Sequence, residues 1–366
     1  MFGNIYNGKK VLVTGHTGFK GSWLTVWLLH LGAEVVGVSK DVPTTPSMFE
    51  ELGLEDRIRH VVADVRDLAA MTSIIDEERP EYVFHLAAQA IVSTSYADPV
   101  ETISTNAIGT MNVLEALRQI NYPCIAVMIT SDKCYDNVEW VWGYKETDAV
   151  GGKDIYSGSK GMAELVIKSY FHSFMNDEKC QVKVAVGRAG NVIGGGDWAK
   201  DRIVVDCMQA WSQGDDVVIR CPDATRPWQH VMEPISGYLT LGMALASDAK
   251  LNGETFNFGP RAEQNRTVVD LLENLGTHWA FKSGEGYSVT DNIPFHEAGL
   301  LKLNCDKALF HMKWEANMAY AETIKMVSEW YYSFYKEKGD MFAVTMGQIE
   351  AYAAMAQDRQ LIWNKQ

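Results

Sequence analysis

The chain has 366 residues, 47% hydrophobic and 22% charged, the proportions of a globular protein of one large domain or two closely packed ones. A net charge of -14 excludes nucleic acid as the main partner, which needs a basic field, and requires any anionic ligand to be met by local Arg and Lys. The opening MFGNIYNGKK has no apolar signal core, and no run reaches the ~20 apolar residues of a membrane span, so a cytoplasmic protein without membrane contact is expected. The six cysteines, at 124, 134, 180, 207, 221 and 305, show no CxxC or Cys/His spacing, which predicts free thiols and no metal.

Short β-branched runs alternate with amphipathic stretches through the first half. Strands are predicted at Val11–Thr14, Val35–Ser39, His60–Ala63, Tyr82–Leu86, Cys124–Thr130 and Val182–Arg188. Between them lie helical patterns at Ser22–Leu31, Val100–Ile120 and Ile155–Met175. Apolar strands each followed by a helix predict an α/β fold with a doubly wound parallel sheet. The rhythm ends near residue 189, where Gly194, Gly195 and Gly196 open a long loop. Residues 1–188 are expected to form a nucleotide-binding domain and 189–366 a smaller α/β substrate lobe. Part of that lobe, about 225–260 and Glu254–Phe258 in particular, is expected to return to the main sheet. Helical patterns at Tyr320–Glu337 and Thr345–Gln357 close the chain.

The first strand runs into Gly15-His16-Thr17-Gly18-Phe19-Lys20-Gly21, a Gly-x-x-Gly-x-x-Gly turn that opens a helix. Gly15 permits the tight turn, Gly18 lets a pyrophosphate approach the backbone, and Gly21 lets helix and strand pack closely. Free amides at the helix start then face phosphate. An acidic residue for the adenosine ribose belongs at the end of the second strand, where this chain has Ser39-Lys40-Asp41. Asp41 suits a free ribose, and Ser39 with Lys40 also suits a 2′-phosphate. Asp64, after the third strand, either meets the adenine edge or belongs to the helix cap at Asp67.

Tyr156 and Lys160 are four residues apart, which puts both on one helix face. A nearby ammonium lowers a phenol's pKa, so tyrosinate can accept a hydroxyl proton. Tyr-x-x-x-Lys also occurs at Tyr6/Lys10 and Tyr332/Lys336, so context decides: only Tyr156 opens a helix after the fifth predicted strand. That strand ends in Thr130-Ser131-Asp132-Lys133, where carboxyl ends of parallel strands face the ligand crevice. Ser131, Asp132 and Lys133 form an acid/base set there, or a turn with a surface Asp–Lys pair. Arg226 and Arg202 are candidates for a diphosphate, with a surface ion pair as the alternative for either. Asn191 suits the same group, and Trp228 either stacks on a ligand or packs. His85 and His230 read as structural.

TGHTGFKG, HLAAQ (85–89), TSDK (130–133), YSGSK (156–160) and RAGNVIGGGDW (188–198) resemble the extended short-chain dehydrogenases. RPWQHV (226–231) followed by Glu233, together with His16, Lys20 and Ser131-Asp132-Lys133, is most similar to the CDP-glucose 4,6-dehydratases among them. The resemblance implies a Rossmann-type domain holding NAD through Gly15 to Gly21, Ser39, Asp41, Asp64, Val65, Leu86, Ala87, Ala88, Asn106, Tyr156 and Lys160. It implies CDP-glucose as substrate, contacted by Gln89, Asn191, Arg202, Arg226 and Trp228, and a homodimer or dimer of dimers. It also implies chemistry: Tyr156 as base at the 4-hydroxyl with Ser131 beside it, Lys160 at the nicotinamide ribose, Lys133 as base at C5, Asp132 as acid for the departing C6 hydroxyl. A nucleotide-sugar 4-epimerase and a non-catalytic nicotinamide sensor are the alternatives on the same fold. Asp132-Lys133 speaks against the first and an intact Tyr156/Lys160 pair against the second.

Overall fold

A computed structural model describes residues 1–261, 265–279, 281, 285–290 and 301–364. Its main sheet has seven strands, all parallel: β1 (Lys10–Thr14), β2 (Glu34–Ser39), β3 (Arg59–Val62), β4 (Tyr82–His85), β5 (Cys124–Ile129), β6 (Val182–Ala189) and β9 (Thr255–Phe258). Their spatial order is β3-β2-β1-β4-β5-β6-β9. In register, Val13 lies opposite Gly37 on one side and Phe84 on the other. The six strands expected in the first half are present, with ends within two residues of those read from the sequence. β9 joins the sheet beside β6 through Thr255–Phe258.

Alternation along each strand explains the double winding. Val11 and Val13 of β1 share a core with Trp23, Leu24 and Trp27 of helix Phe19–His30, and with Tyr238 of helix Met232–Ser247. Leu12 of the same strand faces the opposite core. There it joins Ile75 of helix Leu68–Glu78, Leu114 of Gly109–Arg118 and Ile167 of Ile155–Tyr170. Both faces of the sheet are thereby covered.

Two helices depart from simple periodicity. The stretch read as one helix from Val100 to Ile120 is divided: Asp98 caps Pro99–Ile103, and a wide turn at Ser104–Ile108 precedes Gly109–Arg118. That turn carries Asn106, whose amide holds the Gln89 backbone and the Ser159 hydroxyl. Helix Ile155–Tyr170 likewise ends in a wide turn at Phe171–Met175. Two smaller ribbons lie outside the main sheet. β7 (Val217–Ile219) pairs with β11 (Tyr287–Val289), and β8 (Thr225–Pro227) with β10 (Asn265–Thr267). Gly195 of the loop after β6 has no room for a side chain, since a Cβ would lie 2.0 Å from the Trp330 ring. The loop is also held by Trp23 Nε1, which donates to the Gly195 carbonyl at 2.9 Å.

Candidate active site

Strand order turns back at β1, because β2 lies on one side of it and β4 on the other. Ligand crevices of such sheets form at that switch point, outside the carboxyl ends of the strands. A cavity of about 1710 Å³ lies against the carboxyl ends of β1, β2, β4, β5 and β6 and reaches β7 and β8. That exceeds the roughly 300–1,000 Å³ of a site for one drug-sized ligand.

The loop after β1 has the geometry of a phosphate cradle. Gly15 sits at φ +78, and a Cβ on it would lie 2.7 Å from the Ala87 nitrogen. A Cβ on Gly21 would lie 2.1 Å from the Gly15 carbonyl oxygen. Gly18 differs: inside the protein its Cβ would meet only that oxygen, at 3.4 Å, so the space it leaves open is on the cavity side. Helix Phe19–His30 starts directly after it, with its first amides beyond reach of intrahelical acceptors. This cradle fits a dinucleotide pyrophosphate.

Most sequence-predicted residues line the one cavity: Gly15, Thr17 to Gly21, Ser39, Asp41, Asp64, Val65, Leu86 to Gln89, Ser131, Lys133, Tyr156, Lys160, Asn191, Arg202, Arg226 and Trp228. Three do not. His16 is turned inward beneath the loop, its Nδ1 3.0 Å from Ser39 Oγ and its Nε2 2.8 Å from His60 Nδ1. Burial and the facing His60 pull its pKa down to about 4. It braces Ser39 from beneath the loop. Asn106 is buried behind the wall and braces Gln89, as described above. Asp132 stands behind Ser131, whose hydroxyl donates to its carboxylate at 2.9 Å.

Three residues of the cavity wall are also engaged within the protein. Gln89 lines the cavity, yet its amide bonds to Ile91 and Thr102 and so is engaged within its own loop. Arg202 faces Asp197 at 3.3 Å, so the ion pair foreseen as its alternative is present. Trp228 is buried and donates to the Arg266 carbonyl at 3.2 Å.

At the reaction end, three residues of helix Ile155–Tyr170 lie on one face, at Tyr156, Lys160 and Glu164. Asp154 caps the helix, accepting from Ser157 N at 2.9 Å. Glu164 accepts from Thr130 Oγ1 at 2.5 Å and forms a two-pronged pair with Arg188 of β6, both contacts 2.8 Å. Arg188 also donates to Tyr135, which donates on to Asn257 of β9. This buried network ties the helix of Tyr156 and Lys160 to the end of β5 and to β9. The turn itself forms because Ser131 caps it, accepting from Lys133 N at 3.2 Å.

Electrostatics follow from burial. Asp132 is raised above the usual carboxylate range by burial, with Lys133, the Ser131 bond and Lys20 opposing. Lys160 is lowered to about 8 by burial. Lys20 is also lowered to about 8, by burial and then by Arg202, while Asp132 and Asp197 hold it up. Tyr156 does not show the expected depression. Burial pushes it up to about 12 with help from the Asp132 charge, against Arg202 and the Ser131 hydrogen bond. Dehydration outweighs the cations in this state. Lys20 and Asp197 thus line the site, with Glu164 buried behind it, though only Lys20 was read into it from the sequence, and then as part of the cofactor loop.

Fold and site together define an extended short-chain dehydrogenase. The profile described as GDP-mannose 4,6 dehydratase matches residues 12–327, and the chain belongs to that family. It is 44% identical over 352 residues to the CDP-glucose 4,6-dehydratase of Salmonella typhimurium, covering 95% of this chain and 97% of that one. It is 26% identical to the CDP-paratose 2-epimerase of Salmonella typhi, covering 88% and 98%. The solved dTDP-glucose 4,6-dehydratase of Streptomyces venezuelae, with NAD and TYD bound, superposes at a TM-score of 0.74 over 91% of this chain and 99% of that one. At 19% identity, that likeness is one of fold.

Proposed function

We propose that the protein is an NAD-dependent hydro-lyase that converts CDP-D-glucose to CDP-4-keto-6-deoxy-D-glucose. The observation that carries the reading is the meeting of Ser131, Lys133, Tyr156 and Lys160 on one cavity wall, with Asp132 directly behind, in a chain 44% identical to a CDP-glucose 4,6-dehydratase. NAD, bound through the Gly15–Gly21 cradle, supplies a reversible hydride acceptor. Tyr156 takes the proton of the 4-hydroxyl, with Ser131 hydrogen-bonded to the same oxygen. A 4-ketone acidifies the C5 hydrogen, which Lys133 removes. Asp132, whose hold on a proton is strengthened by burial, gives the proton with which the C6 hydroxyl departs as water. The hexose is oxidised at C4 and reduced at C6, so no external oxidant or reductant is consumed. An epimerase has no use for an acid and a base that eliminate water.

Arg226 and the remaining guanidinium face of Arg202 are the cations for the substrate diphosphate, with Asn191 beside them. The six thiols are unpaired, in keeping with a reducing cytoplasm. No helix among the described residues is long and apolar enough to cross a membrane. Apolar side chains stand exposed on the paired helices, with Val100 at 75% and Leu165 at 54%, and we assign this face to a homodimer or dimer of dimers. Sedimentation should give the mass of two or four chains.

The direct test is turnover of CDP-, dTDP-, UDP- and GDP-linked glucose with catalytic NAD. The expected result is a 4-keto-6-deoxy product from the cytidine sugar, solvent deuterium at its C5, and no stoichiometric NADH. NADH rising in step with product would overturn the internal redox cycle. A C4 epimer would overturn the elimination.

A further inference from the structure

The adenosine end of the cavity holds charges that the chemistry above does not use. Ser39 ends β2, and Lys40 follows at the place where an adenosine ribose lies in this sheet class. Arg66 lies close by, after β3. Both are suitable ligands for a 2′-phosphate, and Lys40 left that choice open in the sequence. Lys40 is not free, however. Its ammonium lies 2.6 Å from Glu101 Oε1 and 3.9 Å from Asp41. The Arg66 guanidinium grips Asp64, with Nη2 at 2.5 Å from Oδ2, and also contacts Glu101 Oε2. Among the described residues, Glu101 is therefore the one carboxylate in contact with both cations. It comes from a different element, the helix Pro99–Ile103, and Asp98 fixes it there by accepting from Glu101 N at 2.9 Å.

We propose that Glu101 sets the dinucleotide preference by neutralising Lys40 and Arg66 together, so that the site accepts a free ribose and rejects a 2′-phosphate. This rests on the reading that the Gly15–Gly21 cradle holds a dinucleotide. The charges decide the direction. Lys40 and Arg66 bring two positive charges, and Asp41, Asp64 and Glu101 bring three negative ones. A 2′-phosphate, with a charge of about -1.5 to -2 at neutral pH, would have to displace Glu101 and enter a net negative environment. Side-chain exposures of 42% for Lys40, 34% for Arg66 and 21% for Glu101 place the cluster at the cavity margin, partly withdrawn from screening solvent. Asp41, 60% exposed and farther from Lys40, cannot do the same work.

The test is calorimetric titration of the full chain, freed of bound dinucleotide, with NAD and with NADP. Wild type should favour NAD. Glu101→Gln preserves the side-chain shape and removes the charge, and should narrow the NAD/NADP ratio roughly tenfold by tightening NADP, the scale of one charge-assisted contact. Adding Lys40→Met to that variant should widen the ratio part of the way back, since Arg66 stays without Glu101. An unchanged ratio in Glu101→Gln, or a wild type that favours NADP, would overturn the proposal. A wild type that binds neither nucleotide would instead overturn the dinucleotide reading beneath it.

Discussion

At the adenosine end of the cavity, Lys40, Arg66, Asp64 and Glu101 cancel one another at contact distance and remain partly exposed. At the reaction end, Asp132 and Tyr156 are buried, and neither Asp132 nor Lys133 has an ion-pair partner within 4 Å among the described residues. Recognition of a fixed group works with paired charges, which hold their protonation and need little burial. Proton transfer needs groups whose affinity for protons has been displaced, and dehydration displaces it most. An unpaired buried group costs stability, however, so the reaction end requires a stiff support. The Glu164–Arg188 pair and its bonds to Thr130, Tyr135 and Asn257 provide one.

The largest effect that can test this contrast is on rate. Tyr156→Phe keeps the ring and removes the proton acceptor, so turnover of the cytidine sugar should fall ~10²–10⁴-fold. The melting temperature should stay near wild type, because the phenol is not part of the supporting network. Product formation at a near-normal rate would show that the reaction end lies elsewhere.

Next in size is the support. Arg188→Met leaves Glu164 as an uncompensated buried carboxylate, which typically costs about 3–5 kcal/mol. Denaturant titration should show that loss, and Arg188→Met with Glu164→Leu should recover much of it. A loss under about 1 kcal/mol would mean that the pair does not carry the reaction end.

Between the two ends stands His85, the last residue of β4, with Nδ1 2.7 Å from Thr14 and Nε2 3.0 Å from Thr110. Burial, and then the charge of Lys160, lowers it to about 3. A depressed folded pKa contributes stability that is full above the unfolded value, near 6.5, and is lost as pH falls towards 3. Between pH 7 and pH 5 this one ring should account for ~2 kcal/mol of lost stability. His16 and His230, also lowered by burial, add loss of the same sign. His85→Gln should therefore show a shallower decline of unfolding free energy over that window. An identical slope would show that His85 titrates normally.

What the sequence disclosed follows the same division. Strands β1, β2, β4, β5 and β6 were legible because burial on both faces leaves nearly uninterrupted apolar runs, Gly15 and Gly21 because local geometry constrains their spacing, and Tyr156 by its place after the fifth strand rather than by its spacing to Lys160. Contacts between distant elements were not. Glu101 meets Lys40 from 61 residues away and Arg66 from 35, and no motif spans that distance. His16 was read as a cofactor contact since it sits in the loop, whereas its direction depends on Ser39 and His60 beneath it. The wide turn at Ser104–Ile108 adds one residue to a helical repeat and leaves the apolar pattern nearly unchanged. The ribbons at Val217–Ile219 and Tyr287–Val289 are three residues each, too short for alternation to register.

The smallest expected effect sharpens the comparison most, because it sets one arginine against another. Arg66 and Arg188 each pair with carboxylate, and Arg66 touches two of them, Asp64 and Glu101. Counting contacts alone would make Arg66 the greater contributor. Solvent reverses that order. The Arg66 side chain is 34% exposed and that of Arg188 4%, so water and salt screen the first pair and not the second. Asp64 and Glu101 are also left near solvent when Arg66 is removed, whereas Glu164 is not. Arg66→Gln should thus cost about 0–1 kcal/mol, and less in 1 M salt than at low ionic strength. Denaturant titrations of Arg66→Gln and Arg188→Met side by side, at both salt concentrations, measure the difference. If Arg66→Gln cost as much as Arg188→Met and were insensitive to salt, the adenosine end would be as dehydrated as the reaction end, and the division between paired recognition and buried chemistry would fail.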